Sequence, residues 1–257
     1  MEILIVSTTA LFASMLTLFS GFGLGTLLMP VVAIFFPIEM AVAITATVHL
    51  SNNLFKGALF GRRANLSVLI GFGVPAIFSA LVGAFILGWL SGMPPVFEYV
   101  VVNKHFAVLP VKLTVGIIIL IFVTLELLPV FSAITIERKY LPYGGTVSGF
   151  FGGLSGHQGA FRSMFLLKAG LSKEEFVANG VLVAVMVDIA RLIVYGWDFS
   201  AQSTLIEWPL VIMATLAAFL GAYIGARLIK KITIKTIQSL VSALLVIIAI
   251  GLMVGIV

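Results

Sequence analysis

Long runs of apolar residues alternate with short polar separators along this chain. The runs fall at 3–36, 40–60, 66–90, 106–131, 142–170, 176–196, 205–228 and 236–257. Each is long enough for a transmembrane helix, which takes roughly 20 apolar residues. The separators carry turn and charge signals: Arg62-Arg63-Ala64-Asn65, Met93-Pro94-Pro95, Glu137-Arg138-Lys139, Lys173-Glu174-Glu175 and Lys230-Lys231. Two runs differ from the rest. Residues 3–36 exceed the need of one untilted helix and are interrupted by Ser20-Gly21-Phe22-Gly23-Leu24-Gly25. Residues 142–170 are interrupted by Gly149 and then by Gly152-Gly153-Leu154-Ser155-Gly156-His157-Gln158-Gly159. Each glycine costs a helix up to ~1 kcal/mol relative to alanine, so the pattern predicts a break in both runs.

The two breaks occupy matching places. Setting Gly25 on Gly159 brings the following runs into register. One extra residue in the second half then sets Asn53 on Asp188, Lys56 on Arg191, Phe60 on Tyr195 and Gly61 on Gly196. The reading is an internal duplication of about 135 residues. Repeat one is 1–135, with a hairpin at 3–36 and spans at 40–60, 66–90 and 106–131. Repeat two is 136–257, with a hairpin at 142–170 and spans at 176–196, 205–228 and 236–257. Charge separates two topologies. If all eight runs cross once, Arg62 and Arg63 lie opposite Lys230, Lys231 and Lys235, against the bias of basic loops toward the cytoplasm. If the two broken runs re-enter on one side, Arg62, Arg63, Arg138, Lys139, Lys173, Lys230, Lys231 and Lys235 share a side. Glu39, Glu98, Asp198 and Glu207 then take the other, with Lys104 the main exception. Three crossings per half invert the second copy. The expected fold is therefore an all-α integral membrane protein of two inverted repeats, each a glycine-broken re-entrant hairpin plus three transmembrane helices. Eight simple spans are the alternative. Both termini are expected outside and the basic loops in the cytoplasm, in a multi-pass protein of the cytoplasmic membrane.

Composition removes the other classes. Apolar residues make up 61% of the 257, charged residues 10%, and mean hydropathy is +1.23, where a soluble domain runs nearer a quarter charged. The net charge of +5 is scattered through short loops, so it reports orientation and implies no nucleic-acid partner. With no cysteine, disulfides, thiol catalysis and thiolate metal sites are excluded. Met1-Glu2-Ile3-Leu4 lacks the basic start of a secretory signal, so the first apolar run is expected in the mature protein. There is no metal-ligand spacing, nucleotide loop or catalytic triad. Gly21-x-Gly23-x-Gly25 lacks the strand and helix context of a dinucleotide fingerprint. No cofactor is implied and the chain is not read as an enzyme.

Ionisable groups inside apolar runs are costly and mark a pathway or a pair. Lys56, Arg162, Asp188 and Arg191 stand well inside their runs or at a break, with His49, Asn52, Asn53, His157, Gln158 and Asn179 nearby. On a helix, Asn53 and Lys56 share a face at i,i+3, as do Asp188 and Arg191. Asp188 and Arg191 could form a purely structural pair. Asn53 at the matching position cannot neutralise Lys56, however, and Arg162 adds to the surplus of positive charge. A hairpin tip would also place unpaired amides near Gly25-Thr26 and Gly159-Ala160, a ready anion site. The competing reading is that these glycines only permit close helix packing. The candidate substrate-binding set is Lys56, Arg191, Arg162, Asn53, Asp188, His157, Gln158, Gly25 and Gly159. His49 and His157 are candidate proton relays. Lys112 and Glu126 are read as snorkelling residues, and Lys168, Arg227, Lys230 and Lys231 as cytoplasmic anchors.

Gly21-Phe22-Gly23-Leu24-Gly25 is followed by Leu27-Leu28-Met29-Pro30, and a second copy runs Gly149-Phe150-Phe151-Gly152-Gly153-Leu154-Ser155-Gly156. With the terminal Gly221-Ala222-Tyr223-Ile224-Gly225-Ala226-Arg227-Leu228, this pattern resembles the TauE/SafE family of sulfite and organosulfonate exporters over essentially the whole chain. The family usually has a glycine run where this chain has His157-Gln158-Gly159, and an apolar leucine-valine-proline stretch where it has Phe161-Arg162-Ser163. That departure points to a subfamily whose substrate need not be sulfite. The resemblance implies a secondary transporter exporting a small anion. A channel-like anion pore and proton-coupled anion uptake are the alternatives. The expected partners are the small anion and the bilayer, with homo-oligomerisation left open.

Overall fold

The computed structural model describes residues 1–17, 24–128, 136–167, 169–198, 207–228 and 234–256. The first broken run becomes α1 (Glu2–Thr17) and α2 (Leu24–Val32). It is followed by α3 (Ile38–Phe60) and α4 (Leu66–Ser91). A β-hairpin, β1 (Phe97–Val101) and β2 (Lys104–Val108), leads to α5 (Pro110–Leu127). The second broken run becomes α6 (Leu141–Ser155) and α7 (Gly159–Leu166). Then come α8 (Lys173–Asp198), α9 (Trp208–Leu228) and α10 (Ile234–Met253).

Local signals set several boundaries. Asn65 caps α4 by accepting from the Val68 amide at 3.3 Å. Ser172 and Glu175 form a reciprocal capping box at the start of α8, with bonds of 2.8 and 3.2 Å. Pro110 opens α5, where its missing N–H is no loss. The stretches Leu66–Ser91, Lys173–Gly196 and Trp208–Gly225 are long and apolar enough to cross a membrane. The 26 residues of α4 reach about 39 Å, against a hydrocarbon core of about 30 Å. By contrast the 15 residues of α6 and the eight of α7 reach about 22 and 12 Å, so neither crosses alone. Large apolar side chains such as Phe78, Phe85, Trp89, Ile193 and Ile247 cover the outside. With no aqueous reason for such a surface, this is a multi-pass membrane protein.

Among the described residues, the basic separators at 62–65, 137–139 and 173–175 meet at one end. Arg63 lies 3.7 Å from Glu174, Asn65 donates to Glu175 at 3.5 Å, and Arg138 donates to Ser67 Oγ at 3.2 Å. The starts of α4, α6 and α8 therefore share that end, and residues 141–173 leave it and return to it. At the other end Tyr99 donates to the Val254 carbonyl at 2.5 Å, tying the β-hairpin to the end of α10. Packing follows an exchanged pattern: α4 lies on α6 and α1 on α9, while α3 meets α8 and α5 meets α10. Both exchanged pairs run parallel in close contact. A Cβ on Gly145, Gly149 or Gly153 of α6 would strike the backbone of Phe72, Ala76 or Ala80 on α4. One on Gly221 or Gly225 of α9 would strike that of Leu11 or Met15 on α1.

Several expectations are corrected. Gly149, Gly152 and Gly153 do not interrupt the second run, because α6 continues through them to Ser155. Close packing of Gly149 and Gly153 on α4, and of Gly152 against Val187 and Gln158, offsets their low propensity, the small-residue role weighed against a break. The break itself is at Gly156, which adopts φ +80°, a left-handed conformation open to glycine. The span expected at 106–131 begins only at Pro110, and the fold is not purely helical. Residues 97–108 form the β-hairpin, which turns through Val102 and Asn103 with φ of 49° and 60°, the geometry that suits a two-residue hairpin. The second hairpin run ends earlier than 170, with α7 closing at Leu166, and α2 stops at Val32, before residue 36. The Ser20–Gly23 part of the first break, the seam near 132–135, Lys168, Lys230 and Lys231 lie outside the described residues, as do the side chains of Glu126 and Arg227.

Candidate functional site

The polar residues of α3 and α8 meet in the middle of the bundle. Asp188 is fully buried and its carboxylate is held from two sides. Oδ1 accepts from Arg191 Nε at 3.0 Å and Nη2 at 2.7 Å. Oδ2 lies 2.6 Å from His49 Nδ1. That contact requires a proton on Nδ1, so in neutral His49 the other nitrogen, Nε2, accepts from Asn53 Nδ2 at 3.2 Å. Ser14 of α1 donates to Asn52 Oδ1 at 3.2 Å, bringing a third element to the cluster. Tyr195 donates to the Gly153 carbonyl and so fixes α8 to the end of α6.

The start of α2 and the bend at Gly156 converge on this cluster. A Cβ on Gly25, in the first turn of α2, would lie 3.4 Å from the Gly156 carbonyl oxygen and 3.7 Å from Thr45 Cγ2. A Cβ on Gly156 would lie 3.1 Å from Arg191 Nη1. That nitrogen is buried without an acceptor, although the Nε and Nη2 of the same guanidinium both donate to Asp188. The arginine head is thus pressed against the bend between α6 and α7 with one edge unused.

Beyond the bend, Ser148 donates to the Gln158 carbonyl at 2.9 Å. Gln158 Oε1 accepts from Arg162 Nη1 at 3.3 Å, so its amide nitrogen must face the other way, where it is buried without an acceptor. Arg162 passes α8 at Gly180, its Nε 3.7 Å from where a Cβ would stand. Lys56, 6% exposed, stands one helical turn beyond Asn53 on α3 and close enough to Arg162 for their charges to interact. Among the described residues no carboxylate forms an ion pair with Lys56 or Arg162.

His157 behaves differently from its neighbours. Its Nδ1 is 3.0 Å from the Ser155 carbonyl, which can only accept, so Nδ1 carries the proton and Nε2 a lone pair. Neutral His157 therefore offers an anion no donor; its ring packs 5.5 Å from Phe122, within a group that includes Phe151 and Phe161. Gly159 begins α7 and is buried.

The structure thus gathers His49, Asn53, Asp188 and Arg191 with the start of α2 at Gly25 and the bend at Gly156, and places Gln158 and Arg162 together. Asn53 bonds to His49 and not to Lys56. Asn179 stays apart, donating to the Glu175 carbonyl at 2.8 Å. Three contributors were not singled out from sequence: Ser14, Ser148 and the Phe122 group. The two serines share the offset that sets Gly25 on Gly159, a signal that was available.

Crossing helices around a buried, cation-bearing centre define a polytopic membrane protein. A family model described as sulfite exporter TauE/SafE matches residues 6–252, and the chain belongs to this family of membrane anion transporters. Neither a curated relative nor a solved structure matches it.

Proposed function

We propose that the protein is a secondary carrier that exports a small anion, a sulfite, sulfonate or related organic anion, across the cytoplasmic membrane. The anion binds at mid-membrane, where the bends of the two broken runs face Arg191. The carrying observation is a surplus of donors: buried Arg191 Nη1, Gln158 Nε2 and Asn52 Nδ2 have no acceptor, and buried Lys56 and part-buried Arg162 have no carboxylate among the described residues. Buried donors are normally satisfied, and an anionic substrate supplies acceptors of the kind these groups lack. Asp188 and Gln158 hold Arg191 and Arg162 in place, and the starts of α2 and α7 add backbone donors.

The architecture supports alternating access. Each exchanged pair joins a broken helix of one half to a long helix of the other: α1 with α9, and α6 with α4. That pattern fits two inverted repeats, 1–135 and 136–257, with the broken runs re-entering the membrane. Basic residues gathered beside Ser67 and Glu175 support a cytoplasmic position for that end, with the β-hairpin outside. An inside-negative potential drives a monovalent anion outward by ~2.3 kcal/mol per 100 mV, so export needs no further coupling.

The test is flux from proteoliposomes loaded with labelled sulfite or a short sulfonate. Protein-dependent efflux that rises with an inside-negative potential and disappears in Arg191→Gln is expected. Efflux no faster than from empty liposomes, for every anion tried, would refute the carrier. Single-channel currents would replace it by a pore, since carriers turn over too slowly to produce them.

A further inference from the structure

We propose that the carrier binds its substrate as a dianion, and that Lys56 and Arg162 set this preference; the inference rests on the carrier reading above. It follows from the charges buried around the bends. Among the described residues these are Lys56, Arg191 and Asp188, all buried, with the part-buried Arg162 beside them. Asp188 is committed: both Nε and Nη2 of Arg191 donate to its Oδ1, and its Oδ2 is taken by His49. His49 and His157 add no charge in their neutral forms. Arg162 feels Asp188 only at a distance, with no ion pair between them. Gly180, which Arg162 passes, is eight residues before Asp188 on α8, or about 12 Å along the axis.

The remaining described acids are placed elsewhere: Glu2 and Glu207 are exposed at the starts of α1 and α9. Glu174 and Glu175 face Arg63, Asn65 and Ser172 at the basic end, Glu137 pairs with Lys139, and Glu98 lies on the exposed β-hairpin. Glu39 sits in the first turn of α3, some 17 residues before Lys56, about 25 Å away along the helix. Among the described residues the centre therefore carries two positive charges without a carboxylate partner, those of Lys56 and Arg162. A monoanion leaves one of them unpaired, which is unfavourable away from water. A dianion leaves none. A zwitterionic aminosulfonate brings a third cation to the same place and is the worst fit. Gln158 contributes to the selection without charge. Because Arg162 fixes its Oε1, its amide presents N–H to the substrate, and a second cationic group would meet the same donor.

The experiment uses the full-length protein in detergent and isothermal titration calorimetry, which resolves a saturable site from the general stabilisation that sulfate gives any protein. Sulfate and sulfite at alkaline pH are the dianions, and methanesulfonate is the monoanion with the same tetrahedral head. The dianions are expected to bind at least roughly tenfold more tightly, the scale on which a close charge pair acts. Lys56→Gln and Arg162→Gln should each collapse that ratio toward one, while Lys56→Arg retains it. Should Lys56→Gln fail to fold, Arg162→Gln and Lys56→Arg still decide the point. Equal affinity for sulfate and methanesulfonate in the unmodified protein overturns the dianion assignment and leaves the carrier standing. A ratio unchanged in a folded neutralised variant removes that residue from the assignment. Absence of saturable binding by any of these anions overturns the carrier site itself, and this assignment with it.

Discussion

Alanine in place of Gly149 should destabilise the protein, although alanine is the better helix former. At this position on α6 the new Cβ would lie 2.6 Å from the Ala76 Cα of α4 and would also strike the Ala76 carbonyl and Ser79 Oγ. Carbon atoms settle at about 3.5–4.0 Å, so the two helices must part by about 1 Å. Rigid helices part together, loosening the contacts at Gly145 and Gly153 as well. Overpacking of this kind costs about 1–3 kcal/mol, against a propensity gain of up to ~1 kcal/mol, so the net expectation is a loss of about 1–2 kcal/mol. Gly71, on α4, provides the control, because a Cβ there meets nothing within 4 Å. Gly71→Ala should keep only the propensity gain. Reversible unfolding of both variants in mixed detergent–lipid micelles measures the contrast. The reasoning fails if Gly149→Ala proves as stable as Gly71→Ala.

The other predictions concern the centre and the orientation. Asp188→Asn leaves the Arg191 guanidinium buried without its carboxylate and should destabilise by about 3–5 kcal/mol; Arg191→Gln should unfold at higher denaturant than Asp188→Asn, since Asp188 keeps its bond to His49. Gly156→Ala forces a side chain into the left-handed region, a cost of about 1–2 kcal/mol, and crowds Arg191 Nη1 at 3.1 Å. Proteoliposome efflux should fall further in that variant than its melting temperature alone would explain. Because the chain has no cysteine, single cysteines at exposed Arg63 and at Asn103 in the β-hairpin turn should react with an impermeant maleimide from opposite faces of the membrane. Labelling of both from one face would refute the assigned sides.

Much of this molecule was legible because hydrocarbon imposes a simple rule: apolar runs of bilayer length become helices. The charge pattern was equally informative, since loops with basic residues do meet at one end, around Arg63, Arg138 and Glu174. What sequence could not separate is the two uses of glycine. Gly149 and Gly153 stand within a few residues of Gly156, yet the first two let helices touch and only the third bends the chain. The difference depends on whether another backbone lies alongside, which no local pattern records. The β-hairpin was missed because five-residue strands between two apolar runs are shorter than the window that reveals a span. At the centre, the i,i+3 spacing correctly paired Asp188 with Arg191. By the same rule Asn53 was matched to Lys56, whereas the structure turns Asn53 to His49, one turn the other way on α3.

That last difference bears on how a duplicated frame acquires selectivity. Asn53 and Asp188 occupy matching positions, as do Lys56 and Arg191. A carboxylate at both would pair each cation within its own helix and leave the centre close to neutral, with only Arg162 in excess. A carboxylate at neither would leave three cations buried together, a repulsion that a thin shell of hydrogen bonds could not hold. With one, Arg191 is clamped by Asp188 and serves as a rigid donor toward Gly156, while Lys56 keeps its charge available. The helix packing can therefore be duplicated while the electrostatics are not. In the proposed carrier, the departure from symmetry at these positions is what turns a repeated scaffold into an anion site.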